Sequence, residues 1–216
     1  MDQIFEEIDT NPGLKSSSDV SDDLIRFFER LKTVSYIKRF GTLPMIQDES
    51  VAGHSYNVAM LAMLIADYEK SDKINMDAVF RKALLHDFEE SILSDIPHSI
   101  KHRYKDGRLA KLLKEIVPDL IDEELFKELP DYMRKKYSEA AKGSKEGTEG
   151  EIVEAADAMD TTLTSLRELK LGNQYFERVF EASIALTKKH DNFKFVKIFL
   201  EKALSYKLNA SMVEDI

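Results

Sequence analysis

From Val51 to Lys70 the chain carries Val58, Leu61, Ala62, Leu64 and Ile65, and its longest purely apolar run spans Val58 to Ala66. A helix made from this stretch is apolar over much of its circumference, so it must be central and wrapped by other elements. The rest of the chain supplies helices to wrap it. Between Ser21 and Phe40, Leu24, Phe27, Phe28, Leu31, Val34, Tyr36 and Ile37 recur at helical spacing. Another helix starts at the cap residue Asn75 and passes through Val79, Phe80, Ala83 and Leu84. Shorter helices are expected over Leu109–Val117 and Leu120–Tyr137, divided by Pro118 and Pro130. Long ones follow over Glu151–Leu171, Asn173–Lys189 and Phe193–Leu208. Residues Lys142 to Gly150 hold three of the eight glycines among charged residues and read as a mobile surface loop. Strand patterns are absent. The expectation is an all-α, single-domain helical bundle over residues 21–216, preceded by an N-terminal extension over residues 1–20.

Composition narrows the function classes. The net charge of −9 and pI near 5.2 argue against a nucleic acid duplex as partner, because such a partner calls for a basic face. No apolar run is long enough to span a bilayer, and the acidic, polar start is no signal peptide, so no membrane association is expected. With no cysteine, thiolate metal sites, disulfides and thiol nucleophiles are excluded. These features fit a cytoplasmic protein.

The stretch Ala83-Leu84-Leu85-His86-Asp87-Phe88-Glu89-Glu90 sets a histidine and an aspartate side by side at the end of an apolar helical run. On a helix such neighbours diverge by about 100°, so a metal above the seam could take one nitrogen and one oxygen. Glu90, four residues after His86, falls on the same stripe, whereas Glu89 points elsewhere and reads as surface. A chance polar cluster at a helix end would look the same in isolation. Two further residues stand out. His54 occupies the first turns of the central apolar helix, where a hydrogen-bonded core histidine is the plainer reading. Asp157 occupies an otherwise small and apolar face, where a carboxylate needs a cation, either a metal or a Lys or Arg partner.

In order, His54, His86-Asp87 and Asp157 resemble the HD-domain superfamily of metal-dependent phosphohydrolases. Arg39-Phe40, Ser50-Val51-Ala52-Gly53-His54-Ser55, His86-Asp87-Phe88-Glu89-Glu90, Ser94-Asp95-Ile96-Pro97 and Ala156-Asp157-Ala158 resemble the bacterial 5′-deoxynucleotidase branch, over about Leu24 to Leu208. The resemblance implies that His54, His86, Asp87 and Asp157 ligate one divalent metal ion per subunit. Two nitrogens and two oxygens leave room for water and suit Mn, Co, Fe, Ni or Mg better than a closed zinc site. It further implies that Glu90 handles the proton of the attacking water, and that Arg39 forks onto the substrate phosphate. Phe40 would stand against the sugar, and Asp95 would accept from a sugar hydroxyl. Asp95 could equally cap the helix beginning at Pro97. Relatives usually carry an acidic residue before the first histidine, where this chain has Gly53, and tryptophan where it has Phe40. His98, His102 and His190 match no position of the family.

The function expected is hydrolysis of a (deoxy)nucleoside 5′-monophosphate to nucleoside and phosphate through a metal-activated water, with a small nucleotide as substrate and a homodimer as assembly. Apolar residues for that assembly are Phe176, Val179, Phe180, Phe195, Ile198 and Phe199. One alternative is a dNTP triphosphohydrolase on the same HD site, with Lys38, Lys101, His102 and Arg103 as extra cations. The other is a non-catalytic helical binding module.

Overall fold

The computed structural model describes residues 17–101 and 103–210. The helices in chain order are α1 (Ser17–Thr33), α2 (Val51–Glu69), α3 (Met76–Leu85), α4 (Glu90–Leu93), α5 (His98–Lys101), α6 (Arg108–Leu120), α7 (Asp131–Lys142), α8 (Gly147–Lys170), α9 (Glu177–Thr187) and α10 (Lys194–Ala210). Among the described residues no strand forms, and the only bridge of strand type pairs Lys38 with Ser50. The all-α expectation is met. Most of the expected extension over residues 1–20 lies outside the described residues, and α1 already runs from Ser17. Among the described residues no helix is long and apolar enough to cross a membrane.

Two apolar cores meet along α2. Val58, Ala62 and Ile65 of α2 pack with Val79 and Ala83 of α3, Ile152, Ala155, Ala156 and Met159 of α8, and Val196 of α10. Alanines at the α2–α8 contact let the two backbones approach closely. The second core gathers Val34, Val51, Phe88, Ile121, Leu125, Phe126 and Leu129. In it Phe88 stacks on Phe126 with ring centroids 5.7 Å apart. Two segments therefore cross from one core to the other. On α2, His54 lies between Val51 and Val58; after α3, His86 and Asp87 lie between Ala83 and Phe88.

Several local expectations change. The helical spacing of residues 21–40 does not carry one helix, because α1 ends at Thr33. Val34 still packs into the second core, but its carbonyl and that of Ile37 accept from the backbone N–H groups of Ala52 and Val51. Those N–H groups begin α2 and have no partner inside it, which is why the chain turns there. Ser50 completes the cap, its hydroxyl accepting from the Gly53 N–H at 3.1 Å. Pro118 does not end a helix; α6 continues through it to Leu120 and closes in a π turn over Ile121–Leu125. Of the 142–150 stretch only residues 143–146 form a turn, and Lys142 and residues 145–148 are exposed. Helix α8 starts at Gly147, and Ser144 and Gly150 are buried.

At Gly150 an added Cβ would collide with the backbone of Lys145. Alanine there would gain up to about 1 kcal/mol of helix propensity, but overpacking against backbone costs about 1–3 kcal/mol. Gly150→Ala is therefore expected to lower the denaturant midpoint at unchanged m-value. A midpoint equal to or above that of the parent would show that the α7–α8 turn yields.

Candidate metal centre

At the seam between the cores His54, His86 and Asp87 form one cluster, and Asp157 joins it through His54. His54, on the second turn of α2, is fully buried; its Nδ1 lies 2.6 Å from Asp160 Oδ2. A carboxylate accepts there, so Nδ1 carries the proton and Nε2 is left with its lone pair. His86, the residue that ends α3, directs its Nδ1–H to the Ala83 carbonyl at 2.8 Å, and its Nε2 is likewise a free acceptor. The two Nε2 atoms are 3.2 Å apart. Asp87 Oδ2 lies 3.2 Å from His86 Nε2 and 3.5 Å from His54 Nε2, and Asp157 Oδ1 lies 3.3 Å from His54 Nε2.

Four lone-pair donors thus face one another, which is repulsive unless positive charge sits among them. Protons can supply it: burial alone would depress the His86 imidazolium, but Asp87 and Asp157 outweigh burial and raise its pKa to about 9. For His54, burial and Arg39 push down while Asp157 and Asp160 push up, and the net is upward. Burial would raise Asp87 and Asp157, yet the imidazoles hold both well below the usual carboxylate range. A divalent cation supplies the same charge with better geometry, two imidazole nitrogens and two carboxylate oxygens being borderline-to-hard donors. The donor set fits such an ion. Asp87 and Asp157 keep 26% and 34% of their side-chain surface exposed, whereas both imidazoles are closed off, so the centre opens to solvent on its carboxylate side.

Of the residues singled out from sequence, His54, His86, Asp87 and Asp157 meet at the seam, but the helical stripe expected for His86, Asp87 and Glu90 does not form. Helix α3 stops at Leu85, residues 86–89 form turns, and Glu90 opens α4. Glu90 is buried, and burial with Asp87 and Asp95 nearby pushes its carboxyl up to about 9. Glu89 is not a surface residue. It is half-buried, and burial and Asp87 raise it to about 7. Arg39 turns inward, bonded to Glu49 at 2.9 Å and to the Thr161 hydroxyl at 3.3 Å, with Asp160 3.6 Å away. Asp95 Oδ2 accepts from the Phe40 N–H at 2.9 Å. Phe40 has a positive φ of 57° and sets its ring against Phe176 at 5.3 Å. Lys38 pairs with Asp48 in solvent. His102 and the side chain of His98 lie outside the described residues, and His190 sits in the turn between α9 and α10.

The sequence reading missed Asp160, Glu49 and Glu168. On α8 the polar residues Asp157, Asp160, Thr161, Thr164 and Glu168 recur at steps of three and four along one face. That periodicity was the available signal. Asp160 gives His54 a carboxylate partner although Gly53 offers none. Thr164 donates to Glu49 at 3.0 Å. Glu168, fully buried, accepts from the backbone N–H groups of Ile46 and Gln47 at 2.9 Å each and from the Asn173 amide at 2.6 Å. Those bonds fasten the loop that carries Glu49.

A family model described as 5′-deoxynucleotidase YfbR-like matches residues 26–206. A 5′-deoxynucleotidase from Erwinia tasmaniensis is 27% identical over 181 residues, covering 81% of this chain and 90% of its own length. One from Photorhabdus temperata is 30% identical over 155 residues, covering 69% of this chain and 77% of its own. Among solved structures, an HD-domain phosphohydrolase from Listeria innocua superposes with a TM-score of 0.74 at 26% identity, covering 86% of this chain and 90% of that one.

A raised pKa means that the folded protein holds the proton more tightly than the unfolded chain does. The stabilisation from His86 is then complete below pH 6.5 and lost as pH rises through about 9. Glu89 and Glu90, raised to about 7 and about 9, act in the same direction. Chelator-treated protein is therefore expected to melt at falling temperature from pH 6.5 to 9, and saturating divalent metal should flatten that decline. A flat profile without metal would contradict the reading.

Proposed function

The chain belongs to the YfbR-like 5′-deoxynucleotidase family, and from that membership we propose that it hydrolyses deoxynucleoside 5′-monophosphates to nucleoside and phosphate. The observation that carries the reading is the meeting of His54 Nε2, His86 Nε2, Asp87 Oδ2 and Asp157 Oδ1 at the open seam, with Glu90 close by in sequence and buried. We assign those four side chains as the ligands of one divalent ion, drawn from Mn, Co, Fe, Ni or Mg. When bound, such an ion supplies Lewis acidity, which acidifies water and offsets charge on a phosphoryl oxygen.

The remaining work falls to the chain's own groups. Arg39 uses one N–H on Glu49 and one on Thr161, and a guanidinium has five, so N–H groups remain for phosphate oxygens. Its charge balances the phosphate while Glu49 fixes its direction. Glu90, as a carboxylate, takes the proton of the attacking water, and as the acid it returns one to the departing nucleoside oxygen. Asp95 Oδ2 is used on the Phe40 N–H, and its other oxygen is assigned to a sugar hydroxyl. The Phe40 ring, braced by Phe176, walls the sugar. The triphosphate alternative is not favoured, since the matching family model and the curated relatives are 5′-deoxynucleotidases.

We take residues 21–216 as the catalytic domain and residues 1–20 as an extension, and place the protein in the cytoplasm as a homodimer. Phe176 and Phe180 are buried, Val179 is half-buried, and Phe195 and Phe199 pack on the first core, which leaves Ile198 as the exposed apolar residue of that set. Light scattering at twice the monomer mass would support the dimer, and a monomer mass would reject it.

Phosphate release from dAMP, dGMP, dCMP and dTMP is expected to vanish on chelation and return with Mn or Co. Asp87→Ala should reduce it to background, and Glu90→Gln should lower kcat on the order of 10²–10⁴-fold with metal still bound. Full activity in Asp87→Ala, or pyrophosphate or triphosphate released from dNTPs in place of phosphate from monophosphates, would reject the proposal.

A further inference from the structure

Asp160 is a buried carboxylate that contacts two groups of the site and that no part of the chemistry has yet claimed. It is 2% exposed and lies one turn beyond Asp157 on α8. Its Oδ2 stands 2.6 Å from His54 Nδ1 and 3.6 Å from an Arg39 guanidinium nitrogen. One oxygen therefore touches both a ligand of the metal and the group assigned to the phosphate. Those two residues reach the seam from separate segments, Arg39 from the loop before α2 and His54 from α2 itself, and the Asp160 contact bridges them. The neighbouring Thr161 reaches the same guanidinium, and Glu49 grips it from the loop side, itself held by Thr164.

We propose that Asp160 is a positioning residue that sets the His54 tautomer and spaces Arg39 from the metal centre. This inference rests on the ligand assignment given under Proposed function. An imidazole has two neutral tautomers, and only the one protonated at Nδ1 turns an Nε2 lone pair toward His86, Asp87 and Asp157. An acceptor at 2.6 Å from Nδ1 selects that tautomer and orients the ring. Removing it frees His54 to carry its proton on Nε2, facing the other donors, where a cation would have to displace it. The same removal takes away one of the carboxylates that hold Arg39 in place, so phosphate alignment suffers alongside metal affinity. Glu49 touches Arg39 and not His54, and its loss should disturb only the phosphate side.

The test compares the parent protein with Asp160→Ala, Asp160→Asn and Glu49→Gln, each stripped of metal and titrated with Mn. Calorimetry reads the metal affinity, and ¹⁵N-imidazole resonances read the His54 tautomer without reference to turnover. Asp160→Ala is expected to weaken Mn binding on the order of 10- to 100-fold and to shift His54 toward the Nε2–H form. Its KM for a deoxynucleoside monophosphate should also rise at saturating Mn. Asp160→Asn keeps an accepting oxygen, so it should hold the tautomer and lose less affinity; it also stands in if the alanine variant does not fold. Glu49→Gln should raise KM and leave Mn affinity unchanged. Unchanged Mn affinity and tautomer in folded Asp160→Ala would overturn the proposal, as would an Asn variant no better than Ala. If the parent binds Mn in the expected tautomer but releases no phosphate, the proposed activity fails, while the Mn and NMR readouts still decide the role of Asp160.

Discussion

The structure depends on one electrostatic constraint: four unshielded lone-pair donors are driven together at the seam of two apolar cores. Two imidazole Nε2 atoms 3.2 Å apart, with carboxylate oxygens at 3.2–3.5 Å, repel one another unless positive charge lies between them. Packing imposes this arrangement. Val51 and Val58 anchor α2 on either side of His54, and Ala83 and Phe88 anchor the chain on either side of His86 and Asp87. Apolar burial on both flanks supplies the free energy that holds the four groups at the seam. A strained, preorganised cation site is the outcome.

Helix α8 carries the polar side of this arrangement on a body that is otherwise core. Burying a row of carboxylates on one helix is costly unless each finds a partner. Each does: Asp157 and Asp160 meet His54, Thr164 meets Glu49, and Glu168 gathers two backbone N–H groups and the Asn173 amide. The row also has a direction, with metal ligand at one end and loop fastener at the other. Between them stands Arg39, raised above even its ordinary pKa because Asp157, Glu49, Asp87 and Asp160 together outweigh its burial. The loop from Phe40 to Glu49 is thus tied to the same helix that supplies a ligand. Phe40 absorbs the geometric cost, adopting a left-handed backbone that Asp95 and Phe176 stabilise.

Much of this was legible before any coordinates. The uninterrupted apolar run of α2 required a central helix, Ser50 and Asn75 cap as their side chains allow, and periodicity placed most remaining helices. Where it erred, the backbone's own hydrogen-bonding needs overrode side-chain spacing. Residues 34–37 keep a helical apolar pattern yet turn to satisfy the open N–H groups of α2. The doublet at 86–87 leaves the helix because α3 ends at Leu85 and Phe88 is drawn into a different core.

The sequence alone determined the helical class, the absence of thiol chemistry and the identity of the residues singled out as donors, because periodicity and residue type are local properties. Only the tertiary structure decided that those donors share a centre, that Glu89 is half-buried, and that Asp160 rather than residue 53 holds His54. Distances between segments a hundred residues apart depend on how two cores pack against one another, and no local pattern encodes that.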